Sequence, residues 1–341
     1  MSAPSIDGLD LPALDAFLAG RVAGYAGGLR AELVSGGRSN LTYRLTDGVS
    51  SWILRRPPLG TLTPSAHDMA REYRVVAALH GSGVPVAAPV ALADDTVLGV
   101  PFALVGYVPG VVLRSEDDLA ALVDTEVHRC AFALVDTLVA LHAVDPAAVG
   151  LGDFGRPEGY LRRQVRRWHG QWERVRTREL PDIDDLHARL DGACPPESGA
   201  TIVHGDFRID NTILDPADPA RILAVVDWEM ATLGDPLADL ALHLAYGDPA
   251  FAPVLGGSAA STSPRMPGRE ALAARYAEAS GRDLSDLGFH LALAYFKIAV
   301  IAEGIHQRHL RGDTRGDGFS TVGTATAPLA AAGLHALGGI R

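Results

Sequence analysis

The stretch His204-Gly205-Asp206-Phe207-Arg208-Ile209-Asp210-Asn211, followed by Val226-Asp227-Trp228-Glu229, gathers a carboxylate, an amide and a second carboxylate into a short span. Asp206 could accept or orient the proton of an attacking hydroxyl. The amide oxygen of Asn211 and the carboxylate of Asp227 suit a hard, oxygen-seeking cation such as Mg²⁺. Together these groups are the parts that phosphoryl transfer requires. Thr212-Ile213-Leu214 and Arg221-Ile222-Leu223-Ala224-Val225 are apolar runs of strand length, separated by the turn chemistry of Asp215-Pro216-Ala217-Asp218-Pro219. They are expected to form a hairpin. A turn centred on residue 219 would bring Asn211 and Asp227 together at its open end, on strands about 5 Å apart. Glu229 is a further candidate, for a second metal or a metal-held water. His204 is expected to bond backbone near the loop. A His-Gly-Asp tripeptide by itself marks only a turn; the offset to Asn211 and the second acid give it chemical meaning.

These residues, with Met230-Ala231-Thr232-Leu233-Gly234-Asp235-Pro236-Leu237-Ala238-Asp239-Leu240, resemble the aminoglycoside phosphotransferase family. The wording is similar to the branch found as kinase-like domains fused to acyl-CoA dehydrogenases. The resemblance covers nearly the whole chain. It implies an α+β, protein-kinase-like fold, with an N-terminal nucleotide-binding lobe over 1–108 and a mainly helical catalytic and substrate-binding lobe over 109–341. It implies ATP or GTP as phosphate donor, Mg²⁺ as cofactor, Asp206 as the catalytic residue, and Asn211, Asp227 and Glu229 as metal-holding residues.

Other elements must position those groups. Leu29–Val34 and Leu41–Leu45 read as strands joined by Ser35-Gly36-Gly37-Arg38-Ser39-Asn40, a loop whose glycines permit close approach of backbone N–H groups to phosphates. Gly37, Ser39 and Asn40 are therefore nucleotide-binding candidates, although Gly-Gly hairpins are common. Ser51–Pro57 reads as a third strand. Kinase-like folds carry a phosphate-binding lysine there, but the chain's single lysine is Lys297. Arg55 occupies the expected position, and a guanidinium can clamp phosphate. Arg56 should face the other way. Ser65-Ala66-His67-Asp68 looks like a capping box opening a helix to about residue 80. Met69, Glu72, Val76 and Leu79 share its inward face, and an acid among apolar neighbours calls for a cation, which Arg55 would supply. Two more strands, at Val90–Leu92 and Pro101–Tyr107, precede the breaker Val108-Pro109-Gly110. The resemblance places an adenine against the backbone around Val105 and Tyr107.

Beyond residue 110 the pattern turns helical. Helices are expected over Asp117–His142, one long or two, and over Pro157–Arg176, where the arginines and Trp168 and Trp172 read most simply as a solvated face and a packed one. Asp235-Pro236 should cap another helix, with Asp239 in its first turn bonded to the catalytic loop. Ala252–Gly268, rich in Gly, Ser and Pro, reads as a mobile surface loop. A final helix, about Leu287–Arg311, puts Lys297 and Arg308 on one side. If that side lines the acceptor cleft it favours an anionic acceptor, hydroxyacyl-CoA-like, over a polycationic aminoglycoside. Pairing of Lys297 with a nearby acid is the equal alternative.

The chain has 341 residues, is 48% hydrophobic and carries a net charge of −11, enough for a large core and contrary to a nucleic-acid footprint. Thr321–Ile340 is too interrupted for a membrane span and reads as a surface or docking helix, and the N-terminus lacks the features of a secretion signal. Two cysteines point to a reducing cytoplasm. The expected partner is a small hydroxylated substrate, with no nucleic acid and no membrane; a homodimer is an open option. A catalytically lapsed nucleotide-binding scaffold is the alternative to an alcohol-specific kinase, and an ATP hydrolase is a third reading.

Overall fold

The computed structural model describes residues 6–35, 40–59, 68–255, 259–314 and 318–338. Gly37, Ser39 and the Ser65 end of the expected capping box lie outside them. The chain divides into two units, one of Met1–Pro109 with Leu223–Glu229, the other of Gly110–Ile222 with Met230–Arg341.

The first unit is built on α1 (Leu11–Ala19), β1 (Arg30–Ser35), β2 (Leu41–Thr46), β3 (Ser51–Arg56), α2 (Met69–Leu79), β4 (Pro89–Ala93) and β5 (Phe102–Gly106). The strands form one antiparallel sheet in the order β1-β2-β3-β5-β4. Strand alternation sends Tyr43, Leu45, Trp52 and Leu54 into a core shared with Leu14, Phe17 and Leu18 of α1. Each such side chain contributes roughly 1.5–3 kcal/mol by leaving water. The same alternation turns Arg55 away from that core, to the face on which α2 packs. Asp68 opens α2 by accepting from Arg71 N at 2.9 Å, and the helix buries Met69, Glu72, Val75, Val76 and Leu79. Leu223–Glu229 belongs to this unit through Val225 N, which donates to Pro85 O at 2.8 Å.

The second unit contains α3 (Glu116–Leu119), α4 (Asp124–Ala143), α5 (Tyr160–Val175), α6 (Pro181–Gly192), β6 (Thr201–Val203), β7 (Thr212–Asp215), most of β8 (Asp218–Val225), β9 (Thr232–Gly234), α7 (Pro236–Ala245), α8 (Ala252–Leu255), α9 (Arg269–Ser280), α10 (Leu287–Leu310) and α11 (Thr326–Gly338). The apolar run expected over 117–142 is two helices. Ser115 and Asp118 cap the first reciprocally, and the Glu126 side chain accepts from Val123 N at 3.0 Å to start the second. On α5, Trp168 and Trp172 are buried with Leu161, Val165 and Val175, so the tryptophans pack.

At the centre lies α10, bearing Phe289, Tyr295, Phe296, Ile298 and Val300 among its buried residues, with α11, α7 and α5 against it. It is long and apolar enough to cross a membrane by length and composition, but its most apolar window is 83% buried inside the protein, as in a core helix. Glu303 is buried on α10 and accepts from Thr177, Arg178 and Thr326.

Two expectations change. Ala252–Gly268 is no open loop among its described residues: it holds α8, Ala259 and Ala260 are buried, and Arg265 donates to Leu119 O at 2.7 Å and pairs with Asp124 at 2.7 Å. The β7–β8 turn is Pro216-Ala217, with Pro219 already inside β8. Asn211 itself lies in a 3-10 turn just before β7 and not in the ladder, and the turn is centred nearer the chain's start than residue 219, because the earlier of the two prolines takes the turn and the later one sits near a strand start.

Candidate active site

In the first unit, Arg55 is a hub for acids. Its Nε lies 2.8 Å from Glu72 Oε1, and its NH2 group lies 3.1 Å from Asp227 Oδ1. The strand supplies the guanidinium, the first turn of α2 supplies Glu72, and the segment after β8 supplies Asp227. One cation answers three acids, since Glu229 also acts on this charge. Arg55 is accordingly held protonated above its ordinary value by Glu72, Asp227 and Glu229, against the opposing effect of burial. Burial, reinforced by Asp227 and Glu229, pushes the Glu72 carboxyl up to about 7 although Arg55 pulls it down. Asp227 has φ +67°, the single non-glycine residue with positive φ among the described residues. Asp tolerates that region better than most residues. Arg56 points the opposite way, buried, and donates to Pro57 O and Gly8 O. Neither arginine decorates a solvated edge.

In the second unit, residues 204–211 form a loop held from behind. His204 N and Gly205 N donate to the two oxygens of Asp239, at 2.6 and 2.8 Å. Asp239 is buried in the first turn of α7, and its carboxyl stays below the usual range because bonds from His142 and the loop overcome its burial. Gly205 has φ +80°, and a Cβ there would meet Met230 O at 2.8 Å, so glycine is required. Its carbonyl accepts from Lys297 Nζ at 2.8 Å. His204 Nδ1 accepts from Asp206 N at 3.2 Å.

That backbone presents the Asp206 carboxylate. Asn211 Nδ2 donates to Asp206 Oδ2 at 3.0 Å and to Asp206 O at 2.8 Å. With its nitrogen so engaged, the Asn211 amide has its carbonyl oxygen as the remaining acceptor. Arg208 Nε lies 3.5 Å from Asp206 Oδ2, and Arg208 NH1 lies 3.2 Å from Asp210. Tyr246 OH donates to Asp206 Oδ1. Local reading missed Tyr246, because this contact joins residues 40 apart in the chain.

The candidates fare unequally. Arg55, Glu72 and Asp227 come together in one unit, and Asp206 and Asn211 in the other. Asn40 is buried. Tyr107 N donates to Ser51 O at 3.1 Å and its ring lies 4.4 Å from the Arg44 guanidinium, while Val105 pairs with Ile53 and Pro89. Donation from Tyr107 N to an adenine is thus excluded in this arrangement. Lys297 and Arg308 do not make one anion site. Lys297 faces the loop and the Trp168 ring, at 5.7 Å, whereas Arg308 is exposed, eleven residues and about 16 Å further along α10. Among the described residues, no group of three or more His, Cys, Asp or Glu is arranged to hold a metal.

Known structures share this architecture. A provisionally assigned aminoglycoside phosphotransferase from Ralstonia eutropha aligns over 97% of this chain and 99% of that one, with TM-score 0.84 and 33% identity. Aminoglycoside phosphotransferase APH(4)-Ia, in a ternary complex with AMP-PNP and hygromycin B, aligns over 94% and 98%, with TM-score 0.62 and 16% identity, a likeness of fold. The fold is protein-kinase-like. A profile of the phosphotransferase enzyme family matches residues 30–290, and the chain belongs to that family. Acyl-CoA dehydrogenase family member 11 of Gallus gallus is 36% identical over 91% of this chain, and that of Homo sapiens 33% over 96%. The chain spans about two fifths of those relatives, 40% and 43% of their lengths.

Proposed function

We propose that this phosphotransferase moves the γ-phosphate of ATP or GTP to a hydroxyl of a small molecule, with Asp206 orienting the attacking alcohol. The alcohol oxygen bonds to the γ-phosphorus as the bridging bond to the β-phosphate breaks; the nucleoside diphosphate leaves and the alcohol proton passes to Asp206. The observation that carries the reading is the pair of bonds from Asn211 Nδ2 to Asp206, which fixes the carboxylate and frees an amide oxygen for a cation. Asn211 and Asp227, with Glu229 as a further candidate, offer the oxygen donors that Mg²⁺ takes, and such an ion would neutralise charge on the donor phosphates. Arg55 steadies those phosphates in place of the usual lysine, with Glu72 orienting it. Gly37, Ser39 and Asn40 are assigned to nucleotide binding, and Val105 and Tyr107 are assigned to the base through groups other than Tyr107 N. Positioning, and not strong basicity, supplies most of the acceleration.

The named complex of APH(4)-Ia with AMP-PNP supports a nucleotide donor. Likeness to the dehydrogenase-named relatives supports a hydroxyacyl-CoA-like acceptor over an aminoglycoside. The free thiols Cys130 and Cys194 support a cytoplasmic setting. Incubating the protein with Mg²⁺, γ-labelled ATP or GTP and a pool of hydroxylated metabolites tests this reading. Label on an acceptor is the expected result. A second reading, a nucleotide-binding scaffold, draws support from the Arg55 guanidinium on Asp227, which engages an oxygen a cation would need. Binding of nucleotide with no label transferred would select it, and release of phosphate whatever the acceptor would select a hydrolase.

A further inference from the structure

The second unit holds a cavity of about 700 Å³, of the size that small-molecule sites commonly have. Leu134, Ile209, Leu244 and Met266 give it apolar walls, and on one side it is bounded by Arg208 and Tyr246. Those two side chains, with Asn211, also hold the Asp206 carboxylate. Oxygen Oδ2 of Asp206 already serves Asn211 and Arg208, whereas Oδ1 receives the Tyr246 hydroxyl. Tyr246 is 5% exposed and its ring rests on Phe251, 4.8 Å between centroids. Burial drives its hydroxyl well above the ordinary value, so it remains a donor at any working pH.

An alcohol that Asp206 is to orient must donate to one of these two oxygens, and Oδ2 is held by both Asn211 and Arg208, whereas Oδ1 takes the Tyr246 hydroxyl, whose removal opens directly toward the cavity that Tyr246 lines. Building on the kinase reading, we propose that the Tyr246 hydroxyl holds, in the free protein, the seat of the acceptor hydroxyl on Asp206, and that the cavity beside it receives the acceptor's body. The acceptor is then an alcohol on a largely apolar frame. The charged groups on the walls balance, Arg208 and Arg269 against Asp248 and Glu270, so the cavity suits an uncharged frame such as an acyl chain and not a polycation. On arrival the acceptor displaces the phenol; in its absence the phenol keeps water from Asp206.

The first test needs only MgATP and water. Tyr246→Phe keeps the ring and removes the hydroxyl, so water can take the vacated seat, and phosphate release without acceptor should rise by about threefold or more. Unchanged or slower release, in a variant that unfolds at the native temperature, would overturn the proposal. Met266→Trp fills the cavity from another wall and decides the matter independently of how well Tyr246→Phe folds. The ratio of transfer, into a pool of hydroxylated metabolites, to hydrolysis should fall at least about tenfold. A native ratio would overturn the assignment of the cavity. A native protein that neither binds nor turns over MgATP defeats the underlying kinase reading, which is a different result from ATP turnover indifferent to both substitutions.

Discussion

The two clusters hold their acids by opposite means. Around Arg55, one guanidinium answers Glu72, Asp227 and Glu229, so the arrangement is short of positive charge and Glu72 has moved toward the neutral form. Around Asp206, the grip comes from an amide, a phenol and backbone N–H groups held by Asp239, with Arg208 shared with Asp210. The first cluster is balanced by charge and should answer to pH and to substitution of its cation. The second is fixed by directional hydrogen bonds and should answer to geometry. A divalent cation would bring the first cluster the positive charge it lacks, while an alcohol needs from the second only a carboxylate that does not move.

Substitutions can break or sharpen this contrast. Asp206→Asn keeps the shape of the loop and removes the proton acceptor; transfer of label should fall by about 10³-fold, with nucleotide binding retained by calorimetry. A transfer rate within a few-fold of native would end the case for Asp206. Arg55→Ala leaves Glu72 buried beside two like charges, and urea unfolding should show a loss of about 3 kcal/mol together with a raised KM for ATP. If stability is untouched, the ion-pair hub is not what holds α2. Asp239→Asn withdraws one of the two acceptors beneath the loop; a loss of about 2 kcal/mol is expected, with kcat lowered more than KM.

The pH test is smaller. Glu72 binds its proton more tightly folded, at about 7, than unfolded, near 4.5, so the folded state takes up protons across that interval and stability declines as pH rises through it. The decline should be complete above about pH 7, and Glu72→Gln should abolish it. A native stability curve flat between those limits contradicts the shortage of positive charge around Arg55.

Much of this was legible beforehand where the signal is local. Strand alternation placed Arg55 and Arg56 on opposite faces, the helical period put Glu72 inward, and Asp235-Pro236 announced α7 with Asp239 in reach of the loop. Contacts that join distant stretches left no such trace. Tyr246 reaches Asp206 across 40 positions, and Arg265 reaches Leu119 across 146, which is why a segment rich in Gly, Ser and Pro is pinned where composition suggested freedom. The hairpin turn was misplaced for a different reason: Pro216 and Pro219 are equally good turn residues, and only the pairing of the strands chooses between them.

Lys297 is the one side-chain amine in the chain, half-buried and engaged with the carbonyl of Gly205. Burial lowers its proton affinity, against the pull of Asp206 and Asp239, and release from the Gly205 carbonyl exposes the amine to reagent. Acylating reagents can therefore modify this polypeptide at its α-amine and at one internal position, and the speed of the internal reaction reports how often residues 204–206 let go. The protein carries its own clock for loop opening, readable by mass spectrometry without any introduced label.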